Sequence, residues 1–286
     1  MILKAQRSWL SSPLGFNLLL ALCGDKGPII HKYTQVYSKV KSNKSISIQN
    51  KIIFSKKNKE NTQKYYDSGI HIDAFIDFDE SNDLRNVILS WAKYYEEVLQ
   101  NIDKYLTPET CAIFLNTCTI KQKWKDPIDG KTPMMKVYNS FNYTQDVKYE
   151  ARLLELPLQD DLKLVVTVPN EQDTLSTLVT TLTEEGMEAA VHSIQPLFTS
   201  SVVLVAPQIK FDSKVTTLLR SKTVIQYGGI DINENGLSAE VLTCLFTHNE
   251  ENSSEFKEKL SPPSFFFAII LKDSPIFTGN FIPTSY

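Results

Sequence analysis

The sequence predicts a single α+β domain that extends over residues 1–286. One long segment has helical periodicity, most other apolar segments have the composition of β-strands, and no repeat or low-complexity linker divides the chain. Apolar residues make up 42% of the chain and charged residues 22%, an ordinary globular composition. One α+β domain is therefore a simpler interpretation than two domains.

The apolar run at 14–23 has two interpretations. Basic residues precede it, as they precede the apolar centre of a secretory signal peptide. Ser12 as an N-cap, Pro13 at the first helical position and Gly24 after the run favour a buried helix instead. The run is too short to cross a bilayer and no other segment is long enough, so no membrane span is expected.

The strongest helical pattern lies at residues 84–99. Its apolar residues recur at spacings of three and four and form one stripe, which contains Trp91. A single stripe predicts a helix that lies on another surface of the domain. A shorter helical pattern follows at 172–194.

Segments rich in β-forming residues account for most of the remaining chain. Turn residues at 159–161 and 272–275 predict two hairpins. His71 lies in the alternating stretch 70–73 and is interpreted as a strand histidine. The predicted strands are 111–120, 152–156, 162–168, 202–206, 223–232, 265–271 and 276–282.

Residues 244–262 interrupt this pattern with a polar, charged and non-periodic stretch. A loop this long inside a compact domain is usually functional or disordered. Cys244 falls in this stretch and is predicted to be exposed; it could pair or oxidise, but an inert thiol is the favoured interpretation. Free, mostly buried thiols are expected for the other cysteines. No CxxC pair and no Cys/His spacing for zinc occurs, so neither a metal site nor a disulfide framework is expected.

The motifs of common catalytic and cofactor sites are missing from the sequence. It contains no Gly-rich phosphate loop, no GxSxG motif and no HExxH motif. The net charge is −3, and the densest basic run, at 51–59, is interpreted as a solvated turn because no aromatic ladder accompanies it. We therefore expect a protein that is not an enzyme and that has no cofactor and no nucleic-acid partner.

Taken in order, the segments of this chain resemble the serpin family of serine protease inhibitors. No single motif is specific, but their shared order across residues 11–283 is. The matching segments are Ser12-Pro13-Leu14 with Gly24 to Gly27, 48–54, 65–66 with 76–78, Ser90-Trp91, 114–116 with 123–125, 134–135 with 141–143, 154–157 with 167–169, 231–236 and 274–279.

The resemblance implies a serpin-like α+β fold with several elements trimmed. It would have a large mixed or antiparallel main sheet, a second and a third smaller sheet, surrounding helices and an exposed reactive loop within 236–262. By this resemblance, Trp91 marks the helix that lies across the main sheet, and Trp124 marks the sheet itself. The polar cluster that the family carries under the main sheet is matched by Ser12, Asn116 and Gln226, with Gln226 in place of a histidine.

The resemblance also implies how the loop acts. A serpin presents its reactive loop to a serine protease, which cleaves it, and the first half of the loop then inserts into the main sheet as a strand. The expected hinge consists of Glu234, Gly236, Leu237, Ala239 and Val241. The expected scissile region consists of Asn249, Glu250, Glu251, Asn252 and Ser253.

The implied partner is a serine protease, or alternatively a cysteine protease, and the chain is expected to be a monomer. Leu237, Val241 and Leu242 are bulkier than the residues that inhibitory serpins carry there. Because alternate residues of an inserting strand enter a packed interior, we expect these side chains to slow insertion. A slow serpin is cleaved as a substrate and does not trap its protease.

Two other functions are left open by the sequence. The chain is alternatively a non-inhibitory serpin that acts as a carrier, a storage protein or a partner-binding scaffold, or a truncated, poorly folding serpin-like form. Sequons at Asn43, Asn142 and Asn252 favour an extracellular glycoprotein. In the serpin register, however, the N-terminal apolar run is a core helix and not a signal peptide, which leaves a cytoplasmic location as the alternative.

Overall fold

The computed structural model describes residues 8–55, 63–78, 86, 88, 110–126, 128–131, 134–139, 142–171, 174–185, 187–196, 202–219, 222–247 and 265–282. The helices in these ranges are α1 (Pro13–Leu22), α2 (Pro28–Val40), α3 (Gln63–Tyr66), α4 (Leu175–Glu185) and α5 (Met187–Ser193). The strands are β1 (Trp9–Ser11), β2 (Ile46–Ser55), β3 (Ala74–Phe78), β4 (Ala112–Gln122), β5 (Asp129–Lys131), β6 (Met134–Asn139), β7 (Asn142–Asp146), β8 (Ala151–Pro157), β9 (Leu162–Pro169), β10 (Gln195–Pro196), β11 (Val202–Pro207), β12 (Ile209–Leu219), β13 (Lys222–Asn233), β14 (Gly236–Thr247), β15 (Phe265–Leu271) and β16 (Ser274–Phe281).

The strands assemble into three sheets. The main sheet has six strands in the order β12-β13-β14-β4-β2-β3, and every neighbouring pair is antiparallel except β2 and β3. A seven-stranded sheet has the order β1-β16-β15-β9-β8-β7-β10, and a three-stranded sheet has the order β11-β6-β5. The predicted α+β class is confirmed.

The N-terminal apolar run forms α1, a core helix. Ser12 is its N-cap, since its Oγ accepts from the backbone N–H of Gly15 at 3.0 Å, and Pro13 follows at the first helical position. Leu14, Leu18 and Leu19 are buried in a large apolar cluster beneath the main sheet. Of the two interpretations of this run, the buried helix is the one the structure contains.

Both predicted hairpins are confirmed. β8 and β9 are joined by a turn in which Asp160 and Asp161 have φ values of 56° and 59°, and Lys272 has a φ of 55° between β15 and β16. The helical pattern at 172–194 forms α4 and α5. These two helices cover one face of the seven-stranded sheet in a second apolar cluster.

Some predictions fall outside the part of the chain that the structure describes. Of the predicted helix at 84–99, only residues 86 and 88 are described, and Ile88 is buried. Trp91 therefore lies outside the described residues, as do residues 56–59 of the basic run at 51–59, whose first five residues belong to β2. Among the helices that the structure does describe, none has the length and apolar content needed to cross a membrane.

Candidate functional site: the central strand of the main sheet

β14 occupies the centre of the main sheet. It pairs antiparallel with β13 from Gly236 to Thr247 and with β4 from Leu237 to Thr247. The sequence resemblance implies that this segment begins an exposed loop, and for residues 237–247 that expectation of exposure is wrong. The strand carries apolar residues on both faces, which only a position between two strands of a covered sheet can bury. Residues 248–262 lie outside the described part of the chain.

Both faces of β14 carry buried side chains. Leu237, Val241 and Leu245 belong to the apolar cluster beneath the sheet, together with Ala239. On the opposite face, the buried side chains are Leu242, Cys244 and Phe246. Burial of a large apolar side chain contributes about 1.5–3 kcal/mol relative to exposure. At this position in the sheet, β14 therefore has room for the bulky side chains that were expected to hinder insertion.

Cys244 illustrates the difference between the predicted loop and the observed strand. The prediction of an exposed thiol is wrong, because Cys244 lies in β14 and is 1% exposed. Burial raises the pKa of Cys244 to about 12, so the thiol is held in its neutral, unreactive form. Cys244 is therefore an inert buried thiol as long as β14 stays in the sheet.

The connection between β13 and β14 is tightly held against the end of β4. Gly236 has a φ of 147°, and a Cβ at this position would stand 2.2 Å from the carbonyl oxygen of Gln122. The indole Nε1 of Trp124 donates to the carbonyl oxygen of Asn233 at 2.7 Å. Glu234 accepts from the side-chain amide of Gln208 at 2.6 Å. The predicted hinge residues thus begin at a fixed turn.

A row of polar side chains crosses the middle of the main sheet. Asn50 on β2, Asn116 on β4, Thr243 on β14 and Gln226 on β13 are successive cross-strand partners. All four are 0% or 1% exposed. The Nδ2 of Asn116 donates to the Oδ1 of Asn50 at 2.8 Å, and the Nε2 of Gln226 donates to the Oγ1 of Thr243 at 3.0 Å. We call these four residues the polar row.

The N-terminus of α1 lies directly beneath the polar row. The Nε2 of Gln226 also donates to the carbonyl oxygen of Ser12 at 3.0 Å, and the hydroxyl of Ser11 donates to the Oε1 of Gln226. A Cβ on Gly15 would stand 2.3 Å from the Oδ1 of Asn116, so only glycine fits under that carboxamide. The polar row therefore contacts the start of α1 through Gln226 and Asn116.

The structure brings together two of the three residues predicted for the polar cluster. Ser12 and Gln226 are in contact, whereas Asn116 is separated from Gln226 by one strand, with Thr243 between them. Sequence reasoning missed Asn50 and Thr243. Each stands between apolar residues two positions away on the same strand, Ile48 and Ile52 for Asn50 and Val241 and Leu245 for Thr243, which was a usable signal. Its position in the row, however, depends on pairings between distant segments.

The predicted glycosylation asparagines and the predicted scissile region differ in what the structure shows of them. Asn43 is half-buried before β2, and its Oδ1 accepts from the backbone N–H of Ser45 at 2.9 Å. Asn142 lies in β7 and donates to Glu155 at 2.9 Å, so its amide is already engaged. Asn249–Ser253, including the sequon at Asn252, lie outside the described residues. Glycosylation stays a prediction.

His71 does not lie in a strand, and that interpretation was wrong. It belongs to the segment between α3 and β3, and its ring is exposed beside Asp73. The alternating apolar pattern at 70–73 has a different cause. Ile70 and Ile72 turn into the core from an irregular segment.

The three sheets, with β14 at the centre of the main sheet, indicate the class of this protein. The chain matches the family model of the serpins (serine protease inhibitors) over residues 14–221, and it belongs to the serpin family.

Known serpins resemble this chain at low sequence identity. It is 26% identical to human Serpin B4 over 222 residues, which cover 68% of this chain and 56% of that protein. It is 24% identical to Intracellular coagulation inhibitor 2 of Tachypleus tridentatus over 222 residues, which cover 63% of this chain and 54% of that protein. The matches therefore span little more than half the length of these relatives.

The solved structure of Cleaved Serpin 42Da superimposes with a TM-score of 0.78, 17% identity and coverage of 99% of this chain and 94% of that one. At this identity the likeness shows the fold alone.

Proposed function

We propose that this serpin presents the segment after β14 to a serine protease as bait and inhibits the protease by strand insertion, without catalysing a reaction of its own. The observation that supports the proposal is β14, which the main sheet accepts with pairing along both edges. The same pairing explains why a strand at this position is stable, since its backbone groups and its apolar side chains are satisfied together. Leu237, Val241 and Leu242 are each at most 2% exposed.

The chemical step belongs to the protease. Its serine hydroxyl attacks the carbonyl carbon of the scissile residue, the peptide C–N bond breaks, and the leaving amine takes a proton from the histidine of the protease. An ester bond then joins the protease to the bait segment, for which Asn249–Ser253 is the predicted region. The serpin contributes the strand that moves before water can hydrolyse this ester.

The dimensions of β14 determine how far the protease would be carried. From Gly236 to Thr247 a β-strand extends roughly 36 Å. A protease linked to the residues after Thr247 would move by a distance of that order as the strand entered between β13 and β4. A displacement of this size would press the protease against the far end of the serpin.

The test is to incubate the purified chain with serine and cysteine proteases of different specificity. We expect an SDS-resistant complex with at least one serine protease, and mass spectrometry should place the cut after Thr247. Cleavage by every active protease without any complex would contradict inhibition.

A matched pair of hinge variants makes this test specific. Ala239 is buried in β14, whereas its neighbour Ser238 is exposed. Ala239→Arg places a charge in the apolar core and should convert the chain into a substrate that is cut without complex formation. Ser238→Arg adds the same side chain on the exposed side and should keep the complex.

One observation favours the non-inhibitory alternative, a carrier or a partner-binding scaffold. β14 is already in the main sheet of the uncleaved chain, and a chain that holds its strand before cleavage has none left to insert. This alternative predicts no rise in melting temperature after cleavage in 248–262. A rise of several degrees would contradict it.

The third possibility is a truncated form that folds poorly. A sharp, cooperative melt of the purified chain would contradict it.

A further inference from the structure

Three buried polar residues lie in one line across the seven-stranded sheet. Trp9 on β1 is the cross-strand partner of Asn280 on β16, which is in turn the partner of Phe266 on β15. Thr167 on β9 lies opposite Phe266 on its other side. Directly opposite residues of neighbouring strands share a face of the sheet. We call these four residues the Trp9 row.

The Trp9 row lies beneath α4 and α5. Trp9 and Phe266 belong to the apolar cluster that these helices form with the sheet. Thr167 follows Val165 of that cluster by two positions on β9, so the two side chains point to the same face. The three polar residues, Trp9, Asn280 and Thr167, are 4%, 0% and 0% exposed. The whole row is therefore inside the molecule.

The indole of Trp9 reaches from β1 across β16. Its ring centroid is 6.2 Å from that of Phe266 on β15, and the two rings meet edge to face. Asn280 stands between their backbones and Thr167 stands beyond Phe266. The polar side chains thus flank the Phe266 ring on both sides.

Each polar residue of the row has one atom for which the described residues provide no hydrogen-bond partner. These atoms are the Nε1 of Trp9, the Nδ2 of Asn280 and the Oγ1 of Thr167. The Oδ1 of Asn280 accepts from the backbone N–H of Trp9 at 3.1 Å, so the Nδ2 is the part of the amide that remains to donate. In the described part of the chain, the fourth buried atom of this kind is the Oδ1 of Asn116 in the main sheet.

Three such atoms on one covered face indicate a bound molecule. Buried polar groups in native proteins are nearly always hydrogen-bonded, because a group that leaves water without gaining a partner loses its hydration outright. An indole N–H and an amide NH₂ only donate, whereas a threonine hydroxyl donates or accepts. A molecule with hydrogen-bond acceptors would satisfy all three groups.

The charges on this face favour an uncharged molecule. On the same face of β8 and β9, the charged residues are Glu155 and Lys163, and the Oε2 of Glu155 lies 2.9 Å from the Nζ of Lys163. Each charge therefore has its counter-ion within the chain. Burial of a further charge in these apolar surroundings would be strongly unfavourable.

We propose that the Trp9 row is an internal binding site for a small uncharged molecule that accepts hydrogen bonds. Trp9 and Asn280 donate to it on one side of the Phe266 ring, and the hydroxyl of Thr167 contacts it on the other side. Two sources share this chemistry, namely ordered water and a small organic molecule with an acceptor atom at each end. The site does not involve β14, so it goes beyond the proposed function and does not depend on it.

The contribution of Thr167 is tested with Thr167→Val, which keeps the shape of the side chain but removes the hydroxyl. If the hydroxyl is bonded to a bound molecule, the melting temperature should fall by about 2–4 °C. Thr144→Val is the matched control, because Thr144 is a half-buried threonine of β7 in the same sheet, and it should have little effect. An unpaired hydroxyl would give the opposite result, so an equal or higher melting temperature for Thr167→Val would overturn the proposal.

Direct detection distinguishes the two sources in the unaltered chain. An organic molecule should appear in native mass spectrometry as an added mass that is lost on denaturation, and it would favour the carrier alternative. Water should give a nuclear Overhauser effect between its protons and the indole N–H of Trp9. The chain has three tryptophans, so Trp91→Phe and Trp124→Phe assign the Trp9 signal by elimination. If neither an added mass nor this effect is observed, no molecule is bound and the proposal is wrong, whether or not the chain forms a complex with a protease.

Discussion

Gln226 on β13 and Thr243 on β14 lie directly opposite each other, and the side-chain amide of Gln226 donates to the hydroxyl oxygen of Thr243 at 3.0 Å. The same amide donates to the carbonyl oxygen of Ser12 at the start of α1. Gln226 therefore connects β14 to the start of the helix beneath it. A shift of β14 by one residue would turn Thr243 to the other face of the sheet, so the pair also specifies the register.

The contribution of this pair is measured with Thr243→Val, which keeps the shape of the side chain but removes the acceptor. Gln226 would still donate to Ser12, so only one hydrogen bond is lost, and the free energy of unfolding should fall by about 1 kcal/mol. Urea denaturation measures the change. Thr216→Val, on the exposed face of the edge strand β12, is the matched control and should leave stability nearly unchanged. Equal stability of the two variants would contradict a role for the pair.

The turn at Gly236 should be intolerant of any side chain. In Gly236→Ala the new Cβ would collide with the carbonyl oxygen of Gln122, at the point where β14 begins to pair. We expect the start of the strand to separate and the alkylation of Cys244 to increase by about tenfold or more, since overpacking costs about 1–3 kcal/mol.

Gly69→Ala is the control for Gly236→Ala, because Gly69 has a φ of 71° but no atom lies within 4 Å of the place that a Cβ would take. It should introduce backbone strain without changing the alkylation of Cys244. A similar increase in both variants would show that general destabilisation, and not the contact with Gln122, is responsible.

Asp160 should make stability depend on pH at the acid end. The hydroxyl of Ser45 and the side-chain amide of Gln122 both donate to its carboxylate and lower the pKa of Asp160. A lowered pKa means that the stabilisation is present above the ordinary range of aspartate, about pH 4, and is lost as the pH falls through the folded-state value.

The melting temperature should therefore fall less steeply between about pH 5 and pH 3 for Asp160→Asn than for the unaltered chain. Asparagine tolerates the positive φ at this turn, so the backbone should not change. Asp161→Asn, in the same turn, is the control and should reproduce the original slope. Identical slopes for both variants would show that the hydrogen bonds to Asp160 do not stabilise the fold.

The buried thiols should limit stability at the alkaline end. Burial raises the pKa of Cys118 and of Cys244 to about 12. A raised pKa contributes stability that is complete below the ordinary thiol range, about pH 8.5, and is lost as the pH rises toward the folded-state value. The free energy of unfolding in urea should therefore decrease between about pH 8.5 and pH 10.

Replacing both buried thiols, Cys118→Ala with Cys244→Ala, should flatten this decrease. The double variant Cys23→Ala with Cys111→Ala is the control, because these two cysteines are only half-buried. It should keep the slope of the unaltered chain. If the slope is unchanged in the first double variant, ionisation of the buried thiols is not its cause.

Local chemistry in the sequence was sufficient for much of the fold. Ser12 and Pro13 define the start of α1 wherever the helix is placed, because an N-cap and a first-position proline act on neighbouring backbone groups. The turn at Asp160 and Asp161 is equally local. The contact between Gln226 and Ser12 was anticipated only through resemblance to a family, since 214 positions separate the two residues.

The position of residues 236–247 depends on contacts between distant parts of the chain. The composition of this segment cannot distinguish an exposed loop from the central strand of a sheet, because β-propensity depends on the neighbours that a strand acquires. Those neighbours are β4, more than a hundred residues earlier, and β13. The same assembly buries Cys244, which local composition predicts to be exposed, and places Asn50 and Thr243 in one row. Local sequence therefore specifies which segments form helices, hairpins and strands, whereas long-range pairing alone puts the expected bait segment in the middle of the main sheet.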